Sequence, residues 1–296
     1  MKDSFFNYHP IVNFCFYCLV LGVTLFFMHP ILMFFSALGA LAYALYLKGR
    51  KVLLVVFGLS LPTILLSAII NPLFSHQGVT ILFYNRVGNP ITLESIVYGI
   101  VTGIMLAIVI LWFSSFNVIM TSDKFVYLFG KILPATGLLL AMIFRFMPRF
   151  NHQLKKVIAS QKCIGKSIFN GNIKQRLSSG VKIMSIMVTW SLENSVETAN
   201  SMKSRGYGLR GRTSFHLYSF DNRDKFISFF MLLVFLWLVI GISMQKLTVF
   251  YYPVFNLNSL SWYSLIAYGL YGTLCFLPIL INVWEDMKWH YLQSKI

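Results

Sequence analysis

Acidic residues are scarce in this sequence: 9 Asp and Glu among 296 residues, against 25 Lys and Arg. With so few carboxylates, and none paired inside the long apolar runs, a membrane-embedded acid–base enzyme has no candidate machinery. The four cysteines, Cys15, Cys18, Cys163 and Cys275, give no disulfide framework. Cys15 and Cys18 form a Cys-x-x-Cys inside an apolar run. Redox or metal work would need an exposed, electropositive setting, so they are expected to be small apolar residues at a helix interface. The six histidines, at 9, 29, 76, 152, 216 and 290, are scattered without metal-ligand spacing and are expected at interfaces or in loops. No Gly-x-x-x-x-Gly-Lys-Ser/Thr stretch occurs, so no phosphate loop is encoded. Internal repeats and low-complexity tracts are absent, and no small-residue cleavage site follows the first apolar run.

Charged residues of both signs make up 11% of the sequence, whereas soluble domains run near a quarter. Apolar residues make up 57%, and the mean hydropathy is +0.70. They lie in runs close to the roughly 20 residues that cross a bilayer as helix. The sequence therefore reads as an all-α membrane protein with about six transmembrane helices. The segments are 11–28, 31–47, 52–70 (Pro62 inside, Asn71-Pro72 ending it), 95–116, 226–244 and 262–284. Tyr84, Tyr251, Trp262 and Trp284 flank them and suit the membrane interface.

Lys48, Arg50 and Lys51 place the second loop in the cytoplasm by the positive-inside rule. Both termini and the 117–225 stretch then lie inside. The loops 71–92 and 245–261 lie outside, with only Arg86 and Lys246 as basic residues. Three regions follow: a four-span domain at 1–116, a cytoplasmic helical domain at 117–225 and a two-span hairpin at 226–296. The formal charge of +16 has its plainest cause in this placement, so no nucleic-acid partner is expected.

Seventeen of the 25 basic residues fall in 117–225. Thr121-Ser122-Asp123-Lys124 is a helix start, and Pro134 breaks that short helix from the next. The second runs about 135–163, is bent by Pro148, and is closed by Gly165. It places Phe150, Leu154, Val157 and Ile158 on one side. Phe169-Asn170-Gly171-Asn172 is a turn. A third helix, about 174–204, carries an apolar stripe: Leu177, Val181, Met184, Val188, Leu192, Val196, Ala199 and Met202. Gly206 stops it. Ser204-Arg205-Gly206 at its end reads either as a C-cap with a cation near the negative helix end or as a guanidinium fork offered to a partner.

Glu197-Thr198-Ala199-Asn200-Ser201-Met202-Lys203-Ser204-Arg205-Gly206-Tyr207 resembles a coupling motif of the transmembrane (T) component of energy-coupling factor (ECF) transporters, the cobalt/vitamin uptake type. That motif has Ala, then Met, then a small residue, Arg, Gly and often an aromatic. Thr121 to Phe129 and Phe144-Arg145-Phe146-Met147-Pro148 match further stretches, and the order fits from about residue 10 to 245. The resemblance implies a non-catalytic subunit that binds no cofactor or metal itself. It couples two ABC-type ATPase subunits to a small membrane S component that imports a vitamin or metal ion across a bacterial-type plasma membrane. Ser204, Arg205 and Gly206 would contact one ATPase, and Cys163, Ile164 and Gly165 the other. At the second place the family has a small-Arg-Gly motif, and Ile164 stands where Arg is expected. The long stripe would pack across the other coupling helix and the S component. A stand-alone secondary transporter and a helical scaffold remain the alternatives. The four-against-two arrangement of spans shows no repeated halves.

Gly206-Tyr207-Gly208-Leu209-Arg210-Gly211 spells Gly-x-Gly-x-x-Gly but follows a helix rather than a strand, so it is no dinucleotide site. Arg210, Arg212, Arg223 and Lys225 precede the fifth span. Positive-inside placement accounts for them, and contact with anionic head groups is the other reading. Glu94 reads as an acidic residue at a helix N-terminus.

Overall fold

The computed structural model describes residues 3–75, 77–84, 90–132, 134–165, 172–207, 209, 218–252, 256–257 and 261–294. Among these the fold is all-α. The helices are α1 Pro10–Phe26, α2 Pro30–Lys48, α3 Lys51–Phe74, α4 Leu93–Ile119, α5 Ser122–Ile132, α6 Pro134–Cys163, α7 Ile173–Ser204, α8 Asn222–Ser243 and α9 Trp262–Gln293. Two compact units result: Met1–Thr121 with Tyr218–Ile296, and Ser122–Leu217. The expected turn at 169–171 and the Gly208, Arg210 and Gly211 positions lie outside the described residues, as do Arg212, His76, His216 and Arg86.

In the first unit, α2, α3, α4, α8 and α9 are long and apolar enough to cross a membrane. The 17 residues of α1 reach about 25 Å at 1.5 Å per residue, the short end of the spanning range. Several helices differ from expectation in extent. α3 continues to Phe74 with Pro72 inside it, and α9 continues well past Trp284 with Pro278 inside. Pro62 is accommodated because residues Val56–Ser60 just before it form a π turn, which loosens the backbone ladder where the missing N–H would have bonded.

The expected outer loops contain two antiparallel strand pairs that apolar periodicity does not reveal. β1, Ile81–Tyr84, pairs with β2, Pro90–Thr92; β3, Val249–Phe250, pairs with β4, Asn256–Leu257. Glu94, in the first turn of α4, is buried and ties the first pair down. Thr80 donates to its carboxylate from the backbone N–H (3.2 Å) and from the hydroxyl (2.7 Å). Thr92 caps α4 by accepting from the Ser95 N–H.

α1 and α2 both begin at a His-Pro pair. Proline suits the first helical position because its missing N–H would have no helical partner. The Nδ1 of His9 accepts from the Ile11 N–H, and that of His29 from the Ile31 N–H, each at 3.3 Å. The imidazoles do the work usually given to Ser or Asp. Both rings are buried, and these two histidines act as structural caps. Burial holds His29 below the ordinary histidine pKa and keeps it neutral. With Nδ1 accepting, Nε2 carries the proton and donates to the Tyr268 hydroxyl, 2.9 Å away.

The core gathers around Trp112 of α4, which is fully buried. Its ring meets Phe16 at 5.7 Å and Tyr17 at 6.1 Å, both edge-on. Its indole N–H donates to Ser36 Oγ at 2.9 Å; Ser36 lies 3.0 Å from Thr24 Oγ1, which is 3.3 Å from the Tyr271 hydroxyl. One hydroxyl cluster thus joins α1, α2, α4 and α9. A second node fastens the segment before α1. The buried Asp3 carboxylate accepts from Tyr43 (2.9 Å), from the Asn282 side-chain amide (2.7 Å) and from the Phe5 N–H (3.3 Å). His9 N–H in turn donates to buried Asp224 at the start of α8.

Close backbone approach completes the packing. Gly99 and Gly103 let α4 press on α3, where Ser67 and Thr102 hydroxyls lie 2.9 Å apart. Cys15 and Cys18 are exposed on the outer surface of the unit, not at the helix interface expected for them. Tyr251 is buried and donates to the Met28 carbonyl, whereas Tyr84, Trp262 and Trp284 are exposed.

A Cβ at Gly39 would lie 2.9 Å from both the Cβ and the carbonyl oxygen of Cys275, backbone that cannot yield easily. Gly39→Ala is expected to destabilise the unit by about 1–3 kcal/mol through overpacking, read as a lowered melting temperature in detergent. Gly22→Ala, which has nothing within 4 Å, should leave it unchanged.

Candidate functional site

The second unit holds α5, α6 and α7. α5 starts at Ser122 with Asp123 in its first turn, as the sequence indicates. α5 and α6 approach through two glycines, Gly130 and Gly137; a Cβ added at Gly137 would lie 2.2 Å from the Gly130 Cα. The two long helices then meet through their middles. Trp190 of α7 packs on Phe146 (5.5 Å) and Phe150 (6.3 Å) of α6, with the Arg149 guanidinium 6.0 Å from its ring centre. Val157, Ile183 and Met187 are buried together, flanked by Leu154, Ile158 and Ile186. The α6 side predicted from sequence is therefore the packed one.

Residue 146 faces 190 while 157 joins 183, so α6 and α7 run antiparallel through the contact. Their C-terminal ends therefore point in opposite directions. From the contact centre to each end at 1.5 Å per residue, the two ends are up to about 45 Å apart. The expected sites at 163–165 and 204–206 are not brought together; each terminates its own helix.

The face of α7 that packs on α6 is not the expected one. Ile183, Met187 and Trp190 turn inward, and the stripe lies outward. Leu177 is 69% exposed, Met184 69% and Leu192 63%, with Val181, Val188 and Val196 similarly open. Two apolar rows at three-or-four spacing coexist on this helix, and the shorter row contains the tryptophan whose area dominates the contact.

Both helix ends close the same way. At α7, the Tyr207 N–H donates to the Met202 carbonyl and the Gly206 N–H to the Lys203 carbonyl, each at 3.0 Å. This is a Schellman cap with Gly206 in the left-handed region at φ 75°. Arg205 is the C-cap residue, and its side chain is exposed. At α6, the Gly165 N–H donates to the Lys162 carbonyl at 3.1 Å, with Gly165 at φ 79°. Cys163 thus corresponds to Ser204, Ile164 to Arg205 and Gly165 to Gly206. Ile164 is 67% exposed. Glycine is required at both positions because a Cβ strains left-handed backbone. Arg145 of the Phe-Arg-Phe-Met-Pro stretch is exposed in mid-helix, and Phe146 beside it belongs to the Trp190 contact.

No family model matches this chain. It is similar to the energy-coupling factor transporter transmembrane protein EcfT of Lactobacillus helveticus, 28% identical over 105 residues, which is 35% of this chain and 38% of that protein. The EcfT of Lactococcus lactis subsp. cremoris is 28% identical over 92 residues, 31% of this chain and 35% of the relative. That of Streptococcus thermophilus is 30% identical over 89 residues, 30% and 34% respectively. The similarity thus spans about a third of the length of these curated relatives. Together with the apolar helices it supports a transmembrane component of the ECF kind.

Gly206→Ala is expected to cost about 1 kcal/mol at the end of α7 and to fray its last turn. Faster tryptic cleavage after Lys203 and Arg205, with an unchanged overall melt, is the expected result.

Proposed function

We propose that this chain is the membrane-embedded coupling subunit of an ATP-driven, ECF-type uptake transporter. Two ABC-type ATPases act on the ends of α6 and α7. Their approach and separation on ATP binding and hydrolysis pass through the crossed helices to a small S component that carries a vitamin or metal ion inward. The subunit itself is non-catalytic and binds no cofactor. It lies in a bacterial-type plasma membrane with both termini and the α5–α7 unit in the cytoplasm, the orientation that the loop charges favour.

One observation carries this reading: an exposed arginine stands at the glycine-capped tip of a long helix in a chain similar to EcfT proteins. A planar guanidinium presented on a rigid helix end suits a groove lined with carboxylates or backbone carbonyls. The outward stripe from Leu177 to Val196 gives α7 a second surface for an apolar partner, and the S component is the partner of that chemistry in this system.

Arg205→Glu reverses the charge at the tip while leaving the cap intact. It is expected to lower the ATPase recovered in a mild-detergent pull-down by at least about 30-fold, the cost of losing a hydrogen-bonded charge contact. ATP-linked uptake should be lost, at an unchanged amount of chain in the membrane. Normal ATPase recovery by this variant, or a wild-type chain arriving without any ATPase, would overturn the assignment in favour of a scaffold or a stand-alone transporter.

A further inference from the structure

A cavity of about 600 Å³ lies in the first unit, between the turn from α1 to α2, Tyr98 of α4, the last turn of α8 and the β3 segment. Its size falls in the range of small-molecule sites. Its wall is rich in rings: Phe26, Phe27, Tyr98, Tyr251 and Tyr252 line it beside His29, which burial keeps neutral. No lining residue carries a formal charge. On the orientation proposed above, the cavity is at the outer face. Coupling through α6 and α7 makes no use of it.

Aromatic faces carry the negative side of the ring quadrupole and attract cations held within about 6 Å. The Tyr98 ring meets Tyr251 (5.8 Å, 65°) and Tyr252 (5.2 Å, 52°) at steep angles rather than stacked, so these faces do not cover one another. Polar atoms on the wall are already engaged. His29 uses both ring nitrogens, the Tyr251 hydroxyl donates to the Met28 carbonyl, and the Thr248 hydroxyl donates to the Gln245 carbonyl at 3.1 Å. An ammonium bearing N–H groups would leave those donors short of acceptors, at a desolvation cost. A cation with no N–H meets no such cost. A fixed negative charge is also close in the fold: the buried Glu94 carboxylate stands one turn before Tyr98 on the same face of α4. The Lys246 ammonium, next to lining Leu247, is turned onto the Tyr263 ring (5.5 Å), which is not part of the wall. We propose that this cavity binds a quaternary ammonium group, carried by a free solute or by a lipid headgroup.

The test places the full chain in phosphatidylglycerol nanodiscs, with radiolabelled tetramethylammonium as the probe. Salt at about 0.15 M screens diffuse attraction of the probe to the lipid. Choline and its uncharged isostere 3,3-dimethylbutan-1-ol compete with the probe. The expected result is saturable binding, with the isostere at least about fivefold poorer than choline as a competitor. Tyr98→Leu, which removes a ring, should weaken binding about fivefold, and Tyr98→Phe, which keeps it, should stay within about twofold of the wild type. Phe26 is 87% exposed at the rim, so Phe26→Leu leaves the fold undisturbed; it should weaken binding about twofold or more.

Equal competition by choline and the isostere would overturn the proposal in favour of a merely apolar pocket. Absence of saturable binding, or wild-type binding by both Tyr98→Leu and Phe26→Leu, would overturn it outright. Repeating the measurement in phosphatidylcholine nanodiscs identifies the source of the group. Weaker apparent binding of the probe there assigns the cavity to a lipid headgroup, and equal binding assigns it to a soluble cation; either result keeps the proposal. Recovery of an ATPase decides the coupling reading separately, so each can fail without the other.

Discussion

The hydroxyl of Ser36 stands where the membrane-type unit is held together. Trp112 donates to it from α4, and it lies within 3.0 Å of Thr24 on α1, whose hydroxyl in turn approaches Tyr271 of α9. Apolar surface gains little by leaving lipid for another apolar helix, so close packing and internal hydrogen bonds set which helices associate. A chain of three polar contacts among four side chains, set among aromatic rings, fixes helix register in a way that a uniformly greasy interface would not. Gly39 against Cys275 and Gly272 against Phe35 let α2 and α9 approach closely around the same node. The Asp3 carboxylate repeats the device with Tyr43 and Asn282, binding the chain before α1 to α2 and α9.

The second unit is organised by a single aromatic contact instead. Trp190, seated against Phe146, Phe150 and Arg149, joins α6 to α7 through their middles and leaves both C-terminal ends and the long stripe of α7 uncovered. The helix turns its tryptophan inward and leaves six large apolar residues, Leu177, Val181, Met184, Val188, Leu192 and Val196, exposed. Scattered exposed apolar residues need no explanation, but a continuous row of them over some five turns does.

Most of the architecture is legible in the sequence because the determinants are local. Runs of apolar residues mark the spans, Asp123 marks the start of α5, and Gly165 and Gly206 mark the ends of α6 and α7. The face of α7 that packs inward is not legible. Ile183, Met187 and Trp190 share the helical spacing of Leu177, Val181, Met184, Val188 and Leu192, and periodicity records that a face is apolar without recording which molecule covers it. The His-Pro caps escape notice for a different reason: histidine is an uncommon N-cap, and only burial against Tyr268 shows what His29 does. The short strand pairs fall in loops whose two to four paired residues give too little alternation to read. The sites themselves divide likewise. That residues 163–165 and 204–206 end helices follows from glycine; that the ends face opposite ways follows only from the pairing of Phe146 with Trp190.

That opposition bears on how force would pass through the unit. On the coupling reading, partners pulling on two tips that point apart load the crossing in shear, and the crossing transmits motion only as far as it resists sliding. Trp190 between two phenylalanines and a guanidinium is a stiff contact for its size, because rigid rings lose little conformational entropy on packing. The softest element nearby is Pro148, inside α6 between Phe146 and Phe150. It has no N–H to give to the carbonyl of Phe144, and its ring crowds that turn. The turn of α6 that lacks a backbone hydrogen bond therefore coincides with the aromatic contact between α6 and α7. On that reading, bending of α6 at Pro148 falls where Trp190 is packed, while Val157 to Cys163 stays helix.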